Sequence, residues 1–318
     1  MQGFGAILRK ELADHFSSYR FLILFALIAM VSLVSTYMVG LDIRHSLEGA
    51  AKPRFVFLLL FTASGVGFSL VQFVAFFGPL IGLILGFDAI NRERNEGTLS
   101  KLLAQPIYRD AVINAKFTAS VFIIALMLVS IVLVISGLGL IVIGVVPGPE
   151  EILRIAVYLC ISIVYISLWL AVAILFSILF RSISTSALSM LAVWIFFTFF
   201  VSMGASAIAG ALVSGSAADN PAAIVKSARI QNAILLASPM ELYNDATSTI
   251  IDPMRKTTRK LLQVGVMEQI SMSRFSGPLP LSASILVVWP YIVMLLALML
   301  ISFGISYAVF MRQEIRSL

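Results

Sequence analysis

Read from one Asp, Glu, Lys or Arg to the next, the sequence contains six long charge-free intervals, at 21–41, 55–87, 117–149, 155–180, 182–218 and 275–311. They run 21, 33, 33, 26, 37 and 37 residues. About 20 apolar residues, rising roughly 1.5 Å each, cross a hydrocarbon core about 30 Å thick. Each interval therefore holds one crossing, and none holds two with a turn between them. Unbroken Leu, Ile, Val and Phe runs point to helices, because barrel strands alternate polar and apolar over about ten residues. The pattern predicts an all-α integral membrane protein with six transmembrane helices, near 21–41, 66–87, 117–144, 155–180, 184–212 and 284–310.

The stretches between spans carry patterns of their own. Phe4, Leu8, Leu12 and Phe16 recur at i, i+4 with Ile7 and Tyr19 beside them, while Arg9, Lys10, Glu11 and Asp14 fall elsewhere on the wheel. This predicts an amphipathic interfacial helix over 1–20, with a plain extension of the first span as the alternative. No small-residue cleavage site follows an early apolar core, so the segment does not read as a removable signal. After the second span, residues 88–116 are dense in both charge signs up to Gly97, which breaks or re-aims the chain. Thr98 is a candidate cap for a short helix with Leu99, Leu102 and Leu103 on one apolar face, and Pro106 ends it. Asp110 is a candidate cap for a helix that runs through Lys116 into the third span.

Residues 214–283 are too long for a plain connector and are expected to form an extracytoplasmic helical cap or gate. Asn220-Pro221 opens a helix reaching about Ala237, and Ser238-Pro239 and Asp252-Pro253 interrupt the pattern. Residues 254–273 read as another helix, with Arg255, Lys256, Arg259 and Lys260 at its start as a solvated face or a contact for acidic groups. The chain thus divides into an interfacial helix (1–20), spans one to five with the loop 88–116 (21–213), the segment 214–283, and the sixth span with its tail (284–318).

Composition narrows the class further. Of 318 residues, 60% are apolar and only 12% charged, too few charges to solvate a globule of this size. The same balance excludes disorder. The formal charge of +6 reads as topology. Eleven Lys and Arg flank one side of the spans, against Arg44, Lys52, Arg54 and Arg154 in the short loops of the other. That bias puts both termini in the cytoplasm. No basic run is interleaved with aromatics, so no nucleic-acid partner is expected.

What the spans lack bears on mechanism. Their interiors hold no Asp, Glu, Lys or Arg, the groups that ion-coupled carriers and proton relays place at membrane depth. There is no GxxxxGK[S/T] loop, so the chain does not hold ATP by itself. Cys160 is the sole cysteine, and His15 and His45 fall on opposite sides of the membrane. No metal site or internal disulfide is expected from them. The methionines read as packing, with Met240, Met254, Met267 and Met272 the one group suited to Cu(I). No catalytic residue and no bound cofactor are expected, so energy for transport has to come from another subunit.

Gly78, Gly82 and Gly86 form a small-residue stripe that lets two membrane helices approach closely, in the same chain or another. The helix at 98–103 suits either a lipid surface or a groove on a partner, and spacing leaves both open. The run from Phe76 to Lys116 resembles the second span and following loop of ABC-2-type permeases, the membrane subunits of ATP-driven exporters. Asp88, Glu93-Arg94-x-Glu96-Gly97-Thr98-Leu99, Leu102-Leu103-x-x-Pro106 and Arg109 with Lys116 carry the likeness. Arg9-Lys10-Glu11-Leu12 and Leu236-Ala-Ser238-Pro239-Met240-Glu241-Leu242-Tyr243 are also similar to the family, as is the six-span layout. The branch it resembles contains permeases associated with multi-copper enzyme maturation, including the nitrous oxide reductase maturation exporter.

The resemblance implies a second permease chain, identical or paralogous, and two copies of a cytoplasmic ABC ATPase that carries the ATP and Mg. It casts Glu93, Arg94, Glu96, Gly97, Thr98, Leu99, Leu102, Leu103 and Pro106 as the coupling segment. Leu99, Leu102 and Leu103 would enter a groove on the ATPase, and Glu93 and Glu96 would pair with basic residues around it. ATP-driven alternating access would export substrate across the cell membrane, along a path lined by Gln72, Phe76, Thr198 and Ser202. Membrane lipids are the remaining expected partner. A scaffold without a transport path and an ATP-independent channel or carrier are the alternatives.

Overall fold

The computed structural model describes residues 3–47, 55–62, 69–105, 107–213, 221–254 and 278–313. Regular structure among them is helical throughout, and six helices are long and apolar enough to cross a membrane. In chain order the helices are α1 (Phe4–Phe16), α2 (Tyr19–Leu47), α3 (Leu59–Thr62), α4 (Leu70–Gly86), α5 (Asn91–Asn95), α6 (Thr98–Leu103), α7 (Arg109–Ile143) and α8 (Pro149–Leu179). The fifth crossing joins α9 (Ile183–Ile195) to α10 (Val201–Val213) through a π-helical turn, Phe196–Phe200. Then come α11 (Pro221–Leu235), α12 (Pro239–Ile251) and α13 (Leu281–Arg312). The end of the bundle that carries α1, α5, α6 and the close of α13 is here the terminus end, and the other the far end.

The core is built on α4 and α8, the two most buried crossings. The glycine stripe of α4 is the reason they sit so close. A Cβ on Gly82 would stand 2.7 Å from the Leu170 backbone nitrogen and 2.9 Å from the Ile166 carbonyl. One on Gly86 would meet the Ala173 methyl at 2.7 Å. The partner of the stripe is thus α8 of the same chain, and hydrogen side chains let the two backbones touch. Pro79 inside α4 has no N–H, which leaves the Ala75 carbonyl without its helical donor. The Tyr165 hydroxyl of α8 donates to that carbonyl at 2.7 Å and closes the gap.

The second crossing begins at Leu70, inside the expected 66, because Ser69 and Gln72 form a capping box there. The third crossing, α7, begins at Arg109, eight residues before its charge-free interval. Asp110 does not cap it: Tyr108 holds the cap position, and the Asp110 carboxylate accepts the Ala111 N–H at 2.8 Å within the first turn. Nor does Thr98 cap α6. Gly97 takes that position at φ +68°, a left-handed conformation suited to glycine, and the Thr98 hydroxyl donates to the Glu93 carbonyl at 3.2 Å.

The segment expected as an outer cap goes deeper than a cap. α11 folds back along α10, and Ser238 donates to the Phe197 carbonyl at 3.2 Å, so the chain has returned to the depth of the π turn. α12 then runs back toward the far end, packed on α8, α13 and α4. Tyr243 stacks on Tyr165 with ring centroids 4.4 Å apart, and its hydroxyl shares a 2.8 Å hydrogen bond with Ser162. The helix expected at 254–273, its basic cluster, and Met267 and Met272 lie outside the described residues, apart from Met254.

Candidate functional site

The segment between α4 and α7 is tied down from below before it presents anything outward. The Ser177 hydroxyl of α8 accepts the backbone N–H groups of Ile90 and Asn91 at 2.9 and 3.1 Å, fixing the start of α5. Asn95 donates to the Arg181 carbonyl at 3.2 Å. Arg94 donates to Gln313 beyond α13, so it belongs to the bundle. Leu99 is 1% exposed and joins the core of this chain, with Leu102 half-buried beside it. The Leu99 side chain is covered by its own bundle and has no surface to offer a groove. The outward face of α6 and its flanks consists of Gly97, Thr98, Lys101, Ala104 and Gln105. Pro106 and the Leu103 side chain lie outside the described residues.

Beneath this face is a cluster of charge that the sequence pattern does not reveal. Lys116, on α7 and 4% exposed, donates at 2.9 Å to Glu11 of α1 and at 2.9 Å to Glu93 of α5. Lys10 reaches the same two carboxylates at 3.1 and 2.9 Å, and Asp14 at 3.5 Å. Glu93, expected to face a partner, is therefore an internal residue. Burial pushes the Glu11 carboxyl up, but Lys116 and then Lys10 outweigh it and hold the group below its ordinary value. For Lys10 burial works downward, and Glu93 and Glu11 together hold the ammonium above its usual range. His15, with Nε2 3.2 Å from the Ser120 hydroxyl, is pushed below its ordinary value first by burial. Arg20 pairs with Asp88 at 2.7 Å, and on the surface Arg92 pairs with Glu96 at 3.0 Å. α1, the start of α2, the end of α4, α5, α6 and α7 line an open cavity of about 790 Å³.

An amphipathic helix and a charged two-helix loop are thus gathered on one buried lysine at the end of a six-helix bundle. The family model described as "ABC-2 family transporter protein" matches residues 5–315, nearly the whole chain. The chain belongs to that family. It is therefore a multi-pass membrane protein and the permease component of an ABC transporter, a class that works in general with a partner ATP-binding subunit. The match is to the family as a whole, not to its maturation branch. No curated protein matches the chain.

The residues expected along the permease's path separate. Gln72 serves the cap of α4. Phe76 packs edge-on against Trp194 at 5.2 Å and Phe199 at 6.1 Å, which brings it to the π turn that contains Thr198. The Thr198 hydroxyl is buried and has no partner among the described residues. Ser202 is exposed on α10. The structure thus joins Phe76 and the Thr198 turn and leaves Gln72 and Ser202 to other surroundings. No group of three or more His, Cys, Asp or Glu among the described residues could hold a metal ion.

Sequence reasoning passed over two residues of the permease. Lys116 entered only as part of a motif, and Arg154 only as a topology count. Arg154 is fully buried at the start of α8. Its Nε and Nη2 donate to Glu150 at 3.3 and 2.9 Å, Nη1 to the Ile250 carbonyl at 2.8 Å and to Ser284 at 3.3 Å, and Nη2 to the Leu279 carbonyl. One guanidinium thereby ties α8 to the end of α12 and the entry of α13. The available signal was Glu150 four residues before an Arg at a span edge.

Proposed function

We propose that a separate cytoplasmic ATPase subunit drives this permease through α5 and α6, and that two permease chains, identical or paralogous, work with two ATPases. Both termini face the cytoplasm, and substrate is exported across the cell membrane by alternating access. ATP and Mg belong to the partner. The observation that carries this reading is the Lys116 bridge, because it fixes the coupling segment to α1 and α7 at once. In this scheme Thr98, Lys101, Gln105 and the Arg92–Glu96 pair meet the ATPase. Leu99 acts as the anchor that transmits the push. Load on α6 passes to α7 through Glu93–Lys116 and to α4 through the chain itself. The glycine contact makes α4 and α8 move together, since a backbone-to-backbone interface resists sliding.

The test is to copurify the tagged permease with the ATPase it captures and to measure hydrolysis in liposomes. Lys101→Glu with Glu96→Lys should abolish copurification while the permease still inserts. Lys116→Met should keep the ATPase bound but lower the hydrolysis that accompanies transport. Intact capture and undiminished turnover in both variants would sink the assignment. Flux through the permease without any ATPase would mark it instead as a channel or carrier.

A further inference from the structure

The cavity at the terminus end has two zones. Arg20 and Asp88 bound the first and second charge-free intervals, which puts the cavity where the hydrocarbon core gives way to lipid head groups. On the bundle side it is lined by apolar groups such as Phe21 and Leu85. On the other side ten charged chains line it, five cationic (Lys10, Arg20, Arg92, Lys101 and Lys116) and five acidic, with His15 beside them. α2 packs on α7 and touches α4 only sparsely, which leaves a loosely packed seam between α2 and α4 beside the cavity. The three features together, balanced charge, an apolar floor and a loosely packed seam, match one kind of occupant.

We infer that this cavity binds a phospholipid whose head group carries both a phosphate and a primary ammonium, a phosphatidylethanolamine-type lipid. The phosphate sits toward Arg20 and Lys101, and Lys101 makes no ion pair among the described residues. The ammonium sits toward the exposed carboxylates of Asp14 and Glu96. The acyl chains leave along Phe21 and Leu85 through the seam. A primary ammonium donates three hydrogen bonds to carboxylates, and a quaternary choline donates none. An anionic head group would bring net charge into a wall whose own charges cancel. Lys101 and Glu96 also belong to the face proposed to meet the ATPase, so the test is made on the permease alone, where its outcome does not depend on that reading.

Native mass spectrometry of the full permease in detergent tests it, with phosphatidylethanolamine, phosphatidylcholine and phosphatidylglycerol supplied in equal amounts and inorganic phosphate in a parallel series. One phosphatidylethanolamine per chain should be retained in preference to the other two lipids. Lys101→Gln should lower its retention about tenfold, the effect of losing one charge-assisted hydrogen bond. Ser17→Trp, which narrows the cavity without altering a charge, should lower retention with an unchanged melting temperature. Preference for phosphatidylglycerol, displacement by millimolar inorganic phosphate, or equal retention in both variants would each overturn the assignment.

Discussion

Arg154 at the far end and Lys116 at the terminus end are both buried cations, yet they are satisfied in opposite ways. Arg154 directs its fork at two backbone carbonyls, a hydroxyl and one carboxylate, each on a segment it must hold in place. Carbonyls do not move without the backbone, so such a clamp has one geometry. Lys116 directs its ammonium at two side-chain carboxylates that Lys10 also bonds, beside a cavity. The two carboxylates are shared by two lysines. The far end is thus held by backbone acceptors, and the terminus end by side-chain partners bonded twice over.

The largest expected effect comes from breaking the clamp. Arg154→Ala strands two buried carbonyls and Glu150, and should lower stability by about 3–5 kcal/mol in thermal unfolding of the purified permease. Arg154→Lys should recover only part of that loss, since an ammonium has three donors in place of five and no planar fork. Full recovery by Lys would mean that charge, not the fork, holds the far end. Lys116→Met should cost less, about 1–3 kcal/mol, because Lys10 already bonds both carboxylates. Adding Lys10→Met should then cost more than Lys10→Met does in the parent. Simple additivity in that cycle would show that the two lysines do not substitute for each other.

Acidification should give the smallest effect and discriminate between the ends. His15 binds its proton less tightly in the fold than in the unfolded chain. The stability it carries is present above the ordinary histidine value of 6.5 and falls as pH drops below it. Glu11 has its pKa held down by Lys116, so its contribution is present above 4.5 and is lost as pH falls through the folded value. Melting temperature should therefore decline in two steps below neutrality, and His15→Gln should remove the upper one. An identical decline in His15→Gln would place the acid sensitivity elsewhere.

Much of the architecture was legible because membrane insertion is decided locally. Twenty apolar residues in a row specify a span regardless of what packs on it, and each of the six spans overlaps one charge-free interval. Gly97 and the proline-marked starts of α11 and α12 were equally local signals. The misplaced features depend on distant neighbours. Leu99, Leu102 and Leu103 declare an apolar face, but only the fold decides whether that face meets the core, lipid or a partner. Glu93 looked free for a partner because Lys116 and Glu11 are 23 and 105 positions away from their respective carboxylate and ammonium partners. Arg154 looked like a loop cation because its acceptors come from α12 and α13.

The sequence by itself determined the class, the number of crossings and the segment between the second and third that marks the family, since hydropathy, glycine and charge act at short range along the chain. Tertiary structure alone decided which charges are internal, that α12 threads the bundle instead of capping it, and that the glycine stripe serves α8. The physical reason is the low dielectric of the interior: a buried charge or carbonyl must find its partner wherever the fold brings one, at any separation in sequence.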